Sequence, residues 1–272
     1  MVNQDEWGNL FGKWLIGENT WCITNRWRNF IYLLIGDEKA LLIDSGTGEG
    51  NIREFVETIT DKPIMVVNTH GHFDHTGGNF RWSKSWMSQA TEQDARKAFA
   101  HMPQEWFDEK EYPDYEIGYL EDNQVIDLGN RKVKVIAIGA HNPGSLAFLD
   151  EKMRALFTGD EIESGQVLIF QREQQKSLEE LVTKHRNNML KLKNLREEYD
   201  LIWPGHNGLP LIPDVYINDF IKLDEQILNG TVKIAENTGG LAFPTDVSKG
   251  PFEALAPMAR AEYGLASIVY QK

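Results

Sequence analysis

A mixed α/β fold, with mixed sheets and helices packed outside them, is what this sequence predicts. Short β-branched and apolar runs alternate with amphipathic helical segments along the chain. Several neighbouring runs are separated by turns short enough for hairpins, which sets antiparallel pairs beside parallel ones. The composition, 41% hydrophobic and 25% charged over 272 residues, is that of a globular chain with a substantial core.

The elements follow in order. Trp21–Thr24 and Phe30–Ile35 read as strands, Gly36-Asp37-Glu38 as a turn, and Ala40–Ile43 as the returning strand of a hairpin. Asn51–Ile59 has helical spacing, with Ile52, Phe55 and Val56 on one face. Pro63–Val67 is a short β-branched run suited to a buried strand, and it leads directly into Thr69-His70. Gln124–Ile126 and Val133–Ile138 are further strands. Leu146–Leu149 and Ala155–Thr158 pair around Asp150-Glu151. Ser177–Leu195 is a long amphipathic helix, opened by a capping box of Ser177 and Glu180. Leu201–Trp203 is a strand ending in Pro204-Gly205-His206. Asp214–Leu228 is a last helix stopped by Gly230, and Arg260–Tyr270 adds a final strand.

Bulk properties exclude some functions. Lys and Arg number 28 against 41 Asp and Glu, a net charge of −13 with no local basic cluster, which disfavours a nucleic-acid partner. The single cysteine, Cys22, rules out an intramolecular disulfide and reads as a packing residue. Met1–Leu10 lacks the basic and apolar regions of a secretion signal, and no apolar run is long enough to span a membrane. A soluble cytoplasmic protein, with no membrane partner, is therefore expected. Asn229-Gly230-Thr231 matches a glycosylation acceptor that this expectation leaves unused. Gly46-Thr47-Gly48-Glu49-Gly50 has the texture of a dinucleotide loop, but Asn51 stands where the third glycine is needed. His101 and His185 belong to no motif.

The chemistry lies in Thr69-His70-Gly71-His72-Phe73-Asp74-His75-Thr76-Gly77-Gly78-Asn79. Three of the chain's seven histidines fall within six residues here, whereas core histidines occur singly. On an extended segment, positions 70, 72 and 74 share a side, and His75 follows at the bend into a helix. Such a loop offers two histidines to one metal and Asp74 with His75 to another, and imidazole with carboxylate suits zinc. One segment cannot close both sites. His141, Asp160 and His206 each end a strand beside Gly or Pro and complete a set of seven donors.

The run HxHxDH, with Asn142-Pro143-Gly144-Ser145 after His141, the Phe157-Thr158-Gly159-Asp160 segment and the Pro204-Gly205-His206 segment, resembles the metallo-β-lactamase superfamily. The likeness runs from about Leu41 to His206. It implies a four-layer αββα sandwich of two mixed sheets, forming a single domain over 1–272. A helical, aromatic-rich insertion is expected at about 82–120. It also implies roles: His70, His72 and His141 for a first metal, Asp74, His75 and His206 for a second, Asp160 between them, and Asp44 orienting a histidine from behind. Two zinc ions, with iron or manganese as substitutes, would then draw hydroxide from a shared water for attack on an acyl carbonyl. Asp74 is the catalytic candidate for moving the proton.

The substrate is less legible. The motif is similar to that of glyoxalase II, a thioester hydrolase, although His141 follows His75 by 66 positions and no C-terminal Arg and Lys clamp is found. It is similar also to quorum-quenching lactonases, which carry Tyr three residues after the bridging Asp, where this chain has Glu163. His72 stands where flavodiiron proteins carry Glu, and Asp160 where some β-lactamases carry Cys. The reading is a zinc-dependent hydrolase of a small-molecule ester, lactone or thioester. Its alternatives are a mononuclear iron dioxygenase of the persulfide dioxygenase type, and a β-lactam or phosphodiester hydrolase. The stretch from Trp82 to Tyr119 holds eight aromatic residues. Trp106 and Tyr112 from it, with Glu163 and Tyr263, are the expected substrate contacts. A homodimer is left open.

Overall fold

The structure, a computed structural model, describes residues 10–97, 114–236 and 258–271. Seven strands form a first mixed sheet in sequence order: β1 (Phe11–Gly17), β2 (Thr20–Asn25), β3 (Phe30–Ile35), β4 (Ala40–Ile43), β5 (Ile64–Val67), β6 (Lys84–Met87) and β7 (Glu116–Tyr119). Pairing is antiparallel from β1 to β4 and parallel from β4 to β7. A second mixed sheet runs in the order β13 (Leu201–Pro204), β11 (Ala155–Gly159), β10 (Leu146–Asp150), β9 (Lys132–Ala137), β8 (Val125–Asp127).

Strand alternation produces the layers. Ile31 and Leu33 of β3, with Ala40 and Leu42 of β4, pack on one side against Ile52, Phe55 and Val56 of helix α1 (Ile52–Glu57). Tyr32, Leu34, Leu41 and Ile43 point the other way and meet Val133, Val135, Leu146, Phe148 and Phe157 of the second sheet. The opposite face of that sheet, through Ile136, Ala147, Leu149 and Leu156, meets the two long helices. Both faces of each sheet are thus covered, which explains why β3, β4, β10 and β11 read as continuous apolar runs. This is the expected αββα order.

Three shorter helices carry site segments: α2 (Phe73–Thr76), α3 (Glu92–Lys97) and α4 (Gln171–Gln174). The long helices are α5 (Leu178–Asn194) and α6 (Pro213–Leu228). At the start of α5, Ser177 and Glu180 form the expected capping box.

β1 was not expected from the sequence, and the structure departs from the sequence expectation in two further places. A third mixed sheet, in the order β12 (Val167–Ile169), β16 (Ala266–Gln271), β15 (Met258–Tyr263), β14 (Ile234–Glu236), extends the second half of the molecule and packs on α6. The C-terminal stretch therefore adds a hairpin rather than one strand. The 82–120 stretch is not helical at its ends: β6 and β7 lie there as parallel strands, with α3 between them. Each has only four residues, too few to show period-two alternation, and the neighbouring strand supplies what local propensity does not.

Candidate metal centre

The site forms where β5 and β11 and the turns after β9 and β13 end together. After β5 the chain bends at residues 69–71 and is extended at His72 (φ −63°, ψ 149°), which brings the His70 and His72 rings together, Nε2 to Nδ1 at 3.0 Å. Asp74 does not continue an extended run. Helix α2 starts at Phe73, with Thr76 N and Oγ1 both donating to His72 O (3.1 and 3.0 Å). Asp74 and His75 are thus successive helical residues, about 100° apart around the axis, and both reach a second cluster of donors. At Gly77, which caps the turn, a Cβ would collide with the Thr47 backbone.

Two triads result. His70 Nε2 and His141 Nε2 each lie 3.0 Å from His72 Nδ1. Asp74 Oδ2 lies 3.1 Å from His206 Nε2 and 3.6 Å from His75 Nε2, and the two imidazole nitrogens are 3.3 Å apart. Asp160 stands between them. Its Oδ2 is 3.9 Å from His70, 3.7 Å from His141 and 3.6 Å from His206, while Oδ1 is 3.2 Å from His75. His70, His75 and His141 form the floor, with about 1% of each side chain exposed. Asp74 (13%), His206 (16%) and Asp160 (10%) face the opening.

The groups behind the triads fix their tautomers. Asp44, in a left-handed backbone conformation (φ 65°), contacts His75 Nδ1 at 2.8 Å. The same carboxylate accepts from Thr69 N (2.7 Å) and Thr69 Oγ1 (2.8 Å). Thr69 Oγ1 lies 3.0 Å from His70 Nδ1, and His141 Nδ1 donates to Leu168 O at 2.7 Å. Proton placement on Nδ1 of His75 and His141 leaves each Nε2 lone pair facing inward. Burial and the neighbouring imidazoles push His70 well below the usual histidine range. Burial alone would raise Asp74 and Asp160, but His75 and His206 hold both well below the carboxylate range, so both are ionised at neutral pH. Burial acts against a charge on His206, yet Asp160 and Asp74 raise it to about 9.

Metal ions fit these residues. Three imidazoles converging through their ring nitrogens, beside a carboxylate with two imidazoles, are donor sets that suit a divalent cation. Asp160 Oδ1 is buried and without a hydrogen-bond partner among the described residues. Gly205 admits no side chain: a Cβ would collide with that oxygen and come within 2.8 Å of His75 Cε1.

Of the expected substrate contacts, Glu163 is buried beside the second triad, with Asn207 Nδ2 donating to its Oε2 at 2.8 Å. Burial, and then Asp160, push its carboxyl well above the usual range. Tyr263 lies at the end of β15, opposite Ala266, in a hairpin tied to α6 by Leu265 N donating to Asp219 (2.8 Å). Trp106 and Tyr112 fall outside the described residues. Of the described aromatics in the 82–120 stretch, Trp82, Trp86 and Tyr115 pack into apolar clusters. Tyr119 is 45% exposed and donates to Glu92.

Sequence reasoning missed three groups. Asn29 reaches the second triad from the residue before β3. Glu161 accepts from the Ala140 and His141 N–H groups (3.0 Å each) and from Asn188 (2.8 Å), bracing the His141 turn. Phe170 sets its ring 5.5 Å from both His72 and His141. Only Glu161 carried a local signal, as a second acid directly after Asp160.

The sandwich and its edge-on cluster of seven His and Asp donors define a metallo-hydrolase type of scaffold. A sequence model of the metallo-beta-lactamase superfamily matches residues 24–206, and the chain belongs to that superfamily. It is 25% identical over 166 residues to human acyl-coenzyme A thioesterase MBLAC2, a match covering 51% of this chain and 60% of that one. It is 29% identical over 140 residues to a hydroxyacylglutathione hydrolase of Francisella tularensis, covering 52% and 50%. The chain thus spans about half to three-fifths of the length of these curated relatives. A metallo-beta-lactamase of Cronobacter sakazakii with a HARLDQ motif shares the fold, with a TM-score of 0.62 at 20% identity over 84% of this chain and 98% of that one. Among the described residues, no helix is long and apolar enough to cross a membrane.

Proposed function

We propose that this protein is a dinuclear metal-dependent hydrolase of small-molecule thioesters. The observation that carries the reading is the pair of triads with Asp160 between them, its buried Oδ1 facing His75 at 3.2 Å and without a hydrogen-bond partner among the described residues. The thioester is favoured because the two curated relatives are named for acyl-coenzyme A and hydroxyacylglutathione.

His70, His72 and His141 would hold one ion, Asp74, His75 and His206 the other, and Asp160 both. Zinc suits this donor set, and iron or manganese would also be accepted by it. Bound there, such ions supply hydroxide near neutral pH from water and polarise a carbonyl oxygen. The remaining work belongs to the chain. Asp74, ionised and at the opening, takes the proton lost by the attacking water. The water oxygen bonds to the acyl carbon, the carbon–sulfur bond breaks, and that proton passes to the departing thiolate. Asp44 and Leu168 O keep the Nε2 lone pairs of His75 and His141 directed inward. Phe170 keeps bulk water from the His72 and His141 side. Glu163, held by Asn207, is buried beside the second triad. A one-metal oxygenase reading leaves the second triad without a purpose.

The test is a panel of acyl-CoA and acylglutathione thioesters, lactones, β-lactams and phosphodiesters, with metal content measured on the same sample. Thioester turnover with about two metal ions per chain is expected. Turnover confined to β-lactams or phosphodiesters would reject the substrate assignment, and a single iron with oxygen uptake would reject hydrolysis.

A further inference from the structure

Resting on the two-metal reading above, we propose that Asn29 is the positioning residue for the second metal: its carboxamide fixes the Asp74 carboxylate against His206.

Asn29 immediately precedes β3, in the first sheet, whereas His206 follows β13, in the second. Its side chain crosses between them. Nδ2 donates to Asp74 Oδ2 at 2.9 Å and lies 3.4 Å from His206 Nε2. That Asp74 oxygen is the one facing His206 and His75, and therefore the one that would bind the ion. Asn29 is 1% exposed, so it acts through Asp74 and not on substrate.

The backbone around it is held from several sides. Asn25 Oδ1 accepts from Asn29 N (3.2 Å), Phe30 N donates to Gly205 O (2.8 Å), and Tyr32 Oη donates to Pro204 O (2.6 Å). The start of β3 is thus stitched to the His206 turn, and Asn29 is the side chain that carries this register into the cluster. Its Oδ1 is buried and has no hydrogen-bond partner among the described residues. A buried amide with one end unsatisfied costs stability, so packing alone does not account for it, while a donor on a ligating carboxylate does.

A hydrogen bond to a ligating oxygen restricts the carboxylate to the rotamer that meets the ion, and loss of such a partner typically weakens metal binding about 10–100-fold. The effect should fall on one site, because the first triad is braced separately by Glu161 and Leu168 O.

The experiment is titration of Zn²⁺ or Co²⁺ into the chelator-stripped full chain, with a competing chelator, for the parent, Asn29→Leu and Asn29→Ser. Leu keeps the volume and removes the donor, while Ser retains a donor. The parent should take up two equivalents. Asn29→Leu should take up the first with unchanged affinity and the second about 10–100-fold more weakly, with the Co²⁺ absorption of the second site altered, and Asn29→Ser should recover part of the loss. Two equivalents bound by Asn29→Leu as tightly as by the parent would overturn the proposal. If Asn29→Leu does not fold, Asn29→Ala is judged on the same readout. A parent that binds only one ion would overturn the two-metal reading and this proposal with it. A parent that binds two beside an unaffected variant overturns the role of Asn29 alone.

Discussion

At the residue scale, the seven donors differ in what their loss should do. His72 closes the first triad and Asp160 stands between the two, and neither supports the apolar core. His72→Ala or Asp160→Ala should lower metal content and abolish turnover while leaving the far-UV circular dichroism spectrum unchanged. Elemental analysis with an activity assay checks this, and parental turnover in either variant would remove these residues from the site. Asp44 acts from behind, through His75 Nδ1. Asp44→Asn keeps the shape but makes the acceptor weaker, and should reduce metal affinity about 10–100-fold without abolishing it. The donors were legible because clustered His and Asp with this spacing are rare outside metal sites. Asn29 and Phe170 were not, because a polar residue before a strand and an aromatic after one are common in any fold. Asp74 was expected on an extended segment, but it lies in α2, which begins at Phe73, and the sequence did not show that start.

At the element scale, a strand was readable as a continuous apolar run wherever both its faces are covered. β3, β4, β10 and β11 matched their expected bounds closely, as did α5 and α6. β1 was missed because it is an edge strand whose middle residues are exposed, which leaves no apolar period to read. The α5 cap makes a quantitative prediction: Ser177→Ala removes the side-chain half of the capping box, leaving the Ser177 N–H donating to Glu180, and should cost about 1 kcal/mol in denaturant unfolding. His185 of α5, which belonged to no motif, proves to join the two long helices. Its Nδ1 meets Asp224 of α6 at 2.9 Å and its Nε2 meets Glu161 O at 3.1 Å, so both nitrogens face acceptors and the imidazolium is favoured. Burial opposes that charge, but Asp224 raises His185 from 6.5 to about 9. The folded value lies above the unfolded one, so this contribution is complete below about pH 6.5 and is lost as pH rises through about 9. The thermal midpoint of the parent should therefore fall across that window, and His185→Gln should flatten the fall. An equal slope in both proteins would contradict the pairing.

At the scale of the whole molecule, the site exists because two sheets are held at one separation while their strand ends supply the donors. The first sheet delivers Asp44 and the segment from His70 to His75. The second delivers His141, Asp160 and His206. Phe157 lies between the sheets, 4.7 Å from the Tyr32 ring and fully buried. Phe157→Ala should cost about 3–5 kcal/mol of stability by leaving a cavity there, measured by denaturant unfolding. The layered fold was legible from the mixture of hairpins and crossovers together with the family resemblance. The third sheet was not, since β12, β14 and β15 are short or separated in sequence and are defined only by pairing with one another.

The central claim, two metal ions held by seven named residues for thioester hydrolysis, is met most directly by one measurement: metal content and acyl-CoA hydrolysis followed together as the ions are removed by chelator and restored. The account predicts about two ions per chain, loss of turnover as they leave, and recovery on their return. Thioester hydrolysis that continues at the parental rate in the metal-free protein would contradict it.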